Sequence, residues 1–95
     1  MDAQNLKDLE EAIEFGRDIS STLHLLGHTE YIFGSRFGED MKRRTVADLD
    51  SQRVLVQRMI DLVNTKYKGI KAAEEAKANL QKGLARVEEA AHPYL

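Results

Sequence analysis

The residues best suited to binding chemistry lie near the middle of the chain, in a short segment punctuated by glycine. It reads Tyr31-Ile32-Phe33-Gly34-Ser35-Arg36-Phe37-Gly38 and is soon followed by Lys42-Arg43-Arg44. Glycine lets backbone amides approach an anion, arginine grips phosphate, and aromatic rings stack on bases. The candidate contacts for a small nucleotide-like anion are Tyr31, Arg36, Phe37, Arg43 and Arg44. No P-loop or dinucleotide fingerprint is present. We therefore favour the alternative, a turn whose rings pack on helices while its cations are solvated.

Two histidines have a spacing that can bind a metal. His24 and His28 are four residues apart, with Glu30 nearby, and that spacing places two ligands on one helix face. The glutamate of the hydrolytic motif is missing, and Gly27 is expected to end the helix between them. We interpret the pair as helix-end histidines and expect no metal ion.

A set of carboxylates near the N-terminus, Glu11, Glu14 and Asp18, shares one helix face, together with the neighbouring Glu10. Di-metal helix bundles use such a spacing, but they also need Glu-x-x-His on partner helices, and the sequence has no such motif. We interpret the set as a solvated acidic face and expect no cofactor.

Composition excludes several function classes. The 95 residues contain no cysteine, and no serine stands beside a histidine in a motif context, so we expect no enzyme. We also expect no signal peptide, no membrane span and a cytoplasmic location. Residues 1–30 carry two cations against seven carboxylates, a net −5, whereas residues 31–60 and 61–95 come to +2 and +1. No block is basic enough to predict nucleic-acid binding.

The first long element is an amphipathic helix over residues 3–26. Asp2 is its expected N-cap and Gly27 its expected C-terminal stop. Its apolar face consists of Leu6, Leu9, Ile13, Ile19, Leu23 and Leu26. The residues from His28 to Lys42 are expected to form a packed loop, because a solvated connector would not carry three rings.

A second apolar stripe runs to Ala91 without a proline and ends before Pro93. Its residues recur at steps of three and four: Val56, Met59, Val63, Tyr67, Ile70, Ala73, Leu80, Leu84, Val87 and Ala91. That period predicts a helix, starting at Thr45 in a capping box with Asp48, or earlier, near Ser35 or Gly38. The predicted fold is all-α and a single domain, 1–95: a helical hairpin with a long second helix. A break near 64–69 would instead give a three-helix bundle, and we favour the continuous helix.

A continuous second helix leaves part of its apolar face uncovered by the shorter first helix. The predicted partner or oligomer interface is Ile70, Ala73, Leu80, Leu84, Val87 and Ala91. The function we expect is non-enzymatic protein–protein association, as an oligomeric adaptor or an inhibitor of a larger protein. The partner is another chain, either a second copy or a larger target. The alternatives are an oligomeric binder of a nucleotide-like anion at residues 31–44 and a structural component of a phage particle or secretion apparatus.

Two resemblances to known families rest on short motifs. The turn Phe33-Gly34-Ser35 near the middle of a helical chain resembles that of the small secreted Trp-X-Gly helical hairpins, although it lacks the tryptophan and the helices are unequal. The segment from Leu80 through Ala90 to Pro93 is similar to the end of small phage proteins that sequester cyclic oligonucleotides, over about 14 of 95 residues. Neither resemblance assigns a role to a residue.

Overall fold

In the computed structural model, the backbone of residues 3–95 and the side chains of residues 7–95 are described. Three helices follow one another: α1 (Ala3–Gly34), α2 (Glu39–Thr65) and α3 (Lys71–Ala91). A short 3₁₀ helix, His92–Tyr94, follows α3. The helices run up, down and up in an elongated bundle of 54 × 19 × 17 Å. The prediction of an all-α fold is confirmed, and of the two open architectures the three-helix bundle is the correct one.

The predicted long second helix is broken, so the continuous form that we favoured is wrong. Gly69 has a φ of 83°, in the left-handed region where a side chain would be strained. At the end of α2, the N–H groups of Lys66 and Tyr67 both donate to the carbonyl of Leu62, at 2.8 and 3.2 Å. The chain then reverses, and α3 begins after Ile70 without a side-chain cap. The reversal lets α3 bury its apolar face within its own chain.

The first helix is longer than predicted. Gly27 does not end α1, which continues to Gly34, because the added turns bury Thr29 and Phe33. That burial outweighs the weak helix preference of one glycine. The predicted loop His28–Lys42 shrinks to residues 35–38. The predicted N-cap Asp2 and the side chain of Leu6 lie outside the described residues.

The earlier of the two predicted starts for the second helix is correct. Gly38 is the N-cap of α2, and its carbonyl accepts from the N–H of Lys42 at 3.2 Å. Thr45 lies within the helix, where its hydroxyl donates to the carbonyl of Met41 at 2.7 Å. Pro93 follows the end of α3, as predicted.

One core runs the length of the bundle and draws on all three helices. Its buried apolar residues are Ile19, Leu26, Phe33, Leu49, Val56, Met59, Ile60, Val63, Leu80, Val87 and Ala91. Helices α1 and α3 approach each other closely at Gly83, where an added Cβ would lie 3.2 Å from Leu26 Cδ1. Arg53 Nε on α2 donates to Glu88 Oε1 on α3 at 3.0 Å. These contacts fix the relative register of the helices.

Among the described residues, no helix is both long enough and apolar enough to cross a membrane.

Candidate functional site

An apolar groove of about 460 Å³ lies on the outer seam between α1 and α3. Its α1 wall comes from Ala12, Gly16, Ile19, Ser20 and Leu23, and its α3 wall from Ala72, Ala73, Glu75, Ala76 and Asn79. Most of these side chains are small, and they recur every three or four residues on the facing sides of the two helices. A helix backbone can approach such a surface closely, because little side-chain bulk projects from it.

Aromatic rings close one end of the groove. Phe15 on α1 stacks on Tyr67 from the α2–α3 turn, with ring centroids 4.8 Å apart and planes 14° from parallel. Such ring pairs contribute roughly 0.5–1.5 kcal/mol beyond the apolar area they bury. This contact ties the turn to α1, so the groove has a fixed end wall.

An ion pair beside the rings reinforces this wall. Lys66 Nζ donates a hydrogen bond to Glu11 Oε2 and lies 5.8 Å from the centroid of the Tyr67 ring. The hydrogen bond and the charge of Lys66 lower the pKa of Glu11, and the same hydrogen bond raises the pKa of Lys66. Both side chains are less than half exposed. The ion pair therefore holds the start of the turn against α1 at neutral pH.

Large apolar side chains stand exposed around the groove. Ile13 and Ile70 are 50% and 51% exposed, and Leu9 is similarly open. Leu9 and Ile13 were predicted on the packed face of the first helix, but they point away from the core. Ile70 lines the groove itself, and Leu9 and Ile13 precede Gly16 on the same face of α1, at steps of four and three.

The same seam becomes polar further along α1 and α3. A second concavity of about 260 Å³ is lined by Gly27 and Glu30 on one side and by Asn79, Lys82 and Arg86 on the other. Lys82 and Arg86 are exposed and Glu30 is partly buried. The seam therefore offers an apolar surface at one end and charged groups at the other.

Because the second helix is broken, most residues of the predicted partner interface lie inside the bundle. Leu80, Val87 and Ala91 are fully buried inside the bundle, and Ala73 and Leu84 are partly buried. Helices α1 and α2 of the same chain cover this face, so the expectation that it needs another chain is wrong for these residues. Of the six residues, Ile70 alone is exposed, at the rim of the groove.

The three rings near the turn, Tyr31, Phe33 and Phe37, were predicted to pack on the helices, and the structure places them in different environments. Phe33 is buried and stacks on Tyr94 with centroids 5.9 Å apart. Tyr31 and Phe37 are 65% and 45% exposed and meet edge to face, with centroids 6.3 Å apart. The packing prediction is therefore confirmed for Phe33 and wrong for the other two.

The predicted anion contacts do not converge on one point. Tyr31, Arg36 and Phe37 line a shallow concavity of about 280 Å³. Arg43 instead pairs with Glu39, at 3.7 Å on the same helix, and Arg44, one residue further on, does not line this concavity. The neighbouring Lys42 lies over the Tyr94 ring, 5.4 Å from its centroid. Only one cation therefore accompanies the exposed rings.

The histidines and carboxylates considered for a metal are on the surface. His24 and His28 are exposed along α1, and Glu14 pairs with Arg17 at 3.9 Å. Within the described residues, no group of three or more histidine, aspartate or glutamate side chains is placed to hold a metal ion.

The fold and the groove define a small three-helix bundle with an apolar seam between α1 and α3. No protein-family model matches the chain, and no curated protein or solved structure matches it either.

Sequence reasoning missed the groove, although a signal for it was present. Ala12, Gly16 and Ser20 are spaced by four residues, as are Ala72 and Ala76. Two rows of small residues on different helices indicate a seam with little side-chain bulk. The rows face each other only because the chain reverses at Gly69.

Proposed function

We propose that this chain is a non-enzymatic helical protein that acts by binding another protein, as an adaptor or an inhibitor. The occupant of the α1–α3 groove is an amphipathic helix of that partner. The single observation that carries the proposal is the apolar groove with exposed Leu9, Ile13 and Ile70 beside it. Laying an apolar helix face into such a groove is a common mode of recognition.

The dimensions of the groove fit a helix of about three turns. Its α1 wall extends from Ala12 to Leu23, eleven residue steps or roughly 17 Å at about 1.5 Å per residue. Packed helices have axes about 8–10 Å apart, and the spacing depends on the side chains at the contact. The small residues on both walls favour the short end of that range.

The charge of α1 defines the flanks of the partner helix. Residues 7–30 carry two cations against six carboxylates, a net charge of −4, and Glu75 on α3 also lines the groove. Glu10 and Glu14 are exposed near Ile13. The partner helix therefore combines an apolar stripe with basic flanking residues, because complementary charge steers association and suppresses wrong partners.

Two neighbouring serines give a matched test of this site. Ser20 lines the groove and Ser21 does not, and both are exposed on α1. We use a designed amphipathic peptide with leucine on one face and lysine on its flanks, and a scrambled peptide of the same composition. Binding is followed through backbone amide shifts in NMR titrations.

We expect saturable binding of the amphipathic peptide, with shifts centred on Gly16 and Ala76. Ser20→Leu fills the groove and abolishes binding, whereas Ser21→Leu leaves binding and helicity unchanged. Equal binding to both variants, or equal binding of the scrambled peptide, would overturn the proposal. Circular dichroism of each variant confirms that the bundle is intact.

The anion-binding alternative has less support. It needs at least two cations converging beside the rings, whereas Arg43 is engaged by Glu39 and Lys42 by Tyr94. Arg36 is the one cation that lines the concavity with Tyr31 and Phe37. Exposed single cations bind anions weakly, because solvent screens them.

A further inference from the structure

Helices α2 and α3 keep one heptad register even though five residues separate them. Ala91 follows Val56 by 35 residues, which is five heptads, and both are fully buried. Val87 follows Gln52 by the same interval, and both are buried too. Within a continuous helix that supercoils to the left, residues at this interval lie on one seam. The two helices therefore carry the pattern of a single long helix.

The connection between them, residues 66–70, is short, and it is held to α1 through Lys66 and Tyr67. Its reversal depends on Gly69, the one residue with positive φ among those described. The first turn of α3 has no side-chain cap, and only a long contact of 3.4 Å joins the N–H of Gly69 to Glu74 Oε1. A straightened connection would replace these terminal interactions with regular helical hydrogen bonds, but it would give up the bent geometry that holds Tyr67 against Phe15. Short hinges of this kind favour exchange of elements between copies.

We propose that a second copy of this chain is a partner, and that the two copies exchange α3. With residues 66–70 straightened into one helix, α3 of each copy packs on α1 and α2 of the other. It occupies the position that α3 has in the monomer.

The exchanged dimer needs no new interface. The Arg53–Glu88 ion pair at 3.0 Å, the bond from Lys77 Nζ to Asn64 Oδ1 at 2.8 Å and the close approach of Gly83 to Leu26 all re-form between copies. The core of each half is unchanged, because the same side chains meet. The energy difference between the two forms therefore lies in the hinge and in the entropy of association. The helical walls of the α1–α3 groove re-form in each half of the dimer, whereas Tyr67 and Ile70 belong to the connection that straightens. The inference does not rest on the proposed helix-binding function, because its tests measure mass and cross-linking rather than peptide binding.

The balance between the forms depends on protein concentration. In the monomer α3 is tethered to its own site, so its effective concentration there is high. The closed monomer therefore dominates in dilute solution, and the dimer gains as concentration rises. Exchange requires α3 to leave its site, so it is slow for the folded protein and fast after unfolding and refolding.

The first test changes the hinge and measures mass by light scattering after refolding over a range of concentrations. Gly69→Ala strains the bent connection and favours the straight one, and each dimer relieves two hinges. We expect the dimerisation constant to rise by roughly two orders of magnitude. Gly69→Asn, which tolerates positive φ better, has a smaller effect. Gly27→Ala, within α1 and free of contacts at its Cβ position, leaves the mass unchanged.

The second test distinguishes exchange from side-by-side association. The chain has no cysteine, so Asn64→Cys and Lys77→Cys chains carry one thiol each. The two chains are unfolded together, refolded at high concentration and treated with a short bis-maleimide. We expect a cross-link between chains after refolding together, and none when folded monomers are simply mixed. Asn64→Cys paired with Glu89→Cys, an exposed position twelve residues further along α3 than Lys77 and about 18 Å from it along the helix, measures random collision.

Two results would overturn the proposal. One is a Gly69→Ala protein that folds and stays monomeric at every concentration. The other is a dimer whose link between positions 64 and 77 does not exceed the collision control. If Gly69→Ala fails to fold, the same cross-linking experiment on chains with the native hinge decides the question.

Discussion

The side-chain amide of Gln52 on α2 donates from Nε2 to Thr29 Oγ1 on α1 at 3.0 Å. The Thr29 hydroxyl in turn donates to the carbonyl of Leu25 at 2.9 Å, so its oxygen is free to accept. Both side chains are buried. Gln52 Oε1 is also buried, and no described group donates to it. The two ends of the bond therefore respond differently to substitution.

Thr29→Val should destabilise the bundle more than Gln52→Leu. The valine leaves Nε2 of Gln52 buried without an acceptor, and such a group costs about 1–3 kcal/mol. Gln52→Leu removes the unpaired Oε1, while the Thr29 hydroxyl keeps its bond to Leu25, so stability should be unchanged or higher. Urea denaturation measures both variants and the double variant. The opposite order of stability would contradict this assignment.

Substitution of glycine by alanine should change stability differently at the close contact between α1 and α3 than on open helix surface. Gly16→Ala and Gly27→Ala meet nothing within 4 Å, so each should stabilise the protein by about 0.5–1 kcal/mol. At Gly83 the new methyl group lies 3.2 Å from Leu26 Cδ1, and we expect a smaller gain or a loss. Thermal unfolding of the three variants tests this. Equal gains at all three positions would show that α1 and α3 are not tightly packed at Gly83.

The Glu11–Lys66 ion pair should make stability depend on pH at both extremes. The pKa of Glu11 is lowered below 4.5 by Lys66, so its contribution is present above that pH and is lost as pH falls through the folded-state value. The pKa of Lys66 is raised above 10.5, so its contribution is lost as pH rises through its folded-state value. The melting temperature is measured from acid to alkaline pH for wild type and Glu11→Gln. The difference between the two proteins should be largest near neutral pH and should vanish at both extremes. Glu10→Gln, on the neighbouring exposed residue, is the control and should not show this difference.

The three rings near the α1–α2 turn should differ sharply in their contribution to stability. Phe33 is buried against Tyr94, and truncating a buried phenylalanine typically costs about 3–5 kcal/mol. Tyr31→Ala and Phe37→Ala should each cost less than about 1 kcal/mol, because both rings are exposed and pair edge to face at the surface. Chemical denaturation compares the three. A large loss at Tyr31 or Phe37 would place these rings in the core.

Two residues of the predicted interface, Leu80 and Ile70, should respond differently to substitution, because Leu80 is buried and Ile70 is exposed. Leu80 is fully buried, so Leu80→Ala should lower the stability of the monomer by about 2–5 kcal/mol. Ile70→Ala, at an exposed position, should have a small effect on folding and should weaken binding of the amphipathic peptide. Denaturation and peptide titration are measured on both variants. A stable, peptide-defective Leu80→Ala protein would restore this face as an interface.

Most of what could be predicted about the fold came from the spacing of apolar residues along the chain. The spacing from Val56 to Ala91 correctly predicted helix at both ends of the stripe, and Pro93 correctly marked its end. Gly27 misled the prediction of the first helix, because a local stop signal is weak beside the burial of Phe33 one turn and a half later. Tyr31 and Phe37 were predicted to be packed and are exposed, since composition alone does not say which aromatic residue faces inward.

The sequence by itself determined that the chain is helical and which residues share a helix face, because those properties depend on neighbours three and four positions away. Only the tertiary structure decided that the stripe breaks at Gly69. An unbroken heptad pattern is equally compatible with a straight helix and with a hairpin, and the choice depends on the apolar area that α3 buries against α1. That one reversal moved Leu80 and Val87 from a predicted interface into the core. It also brought Gly16 opposite Ala76 to form the groove, a pairing set by contacts between residues about sixty positions apart.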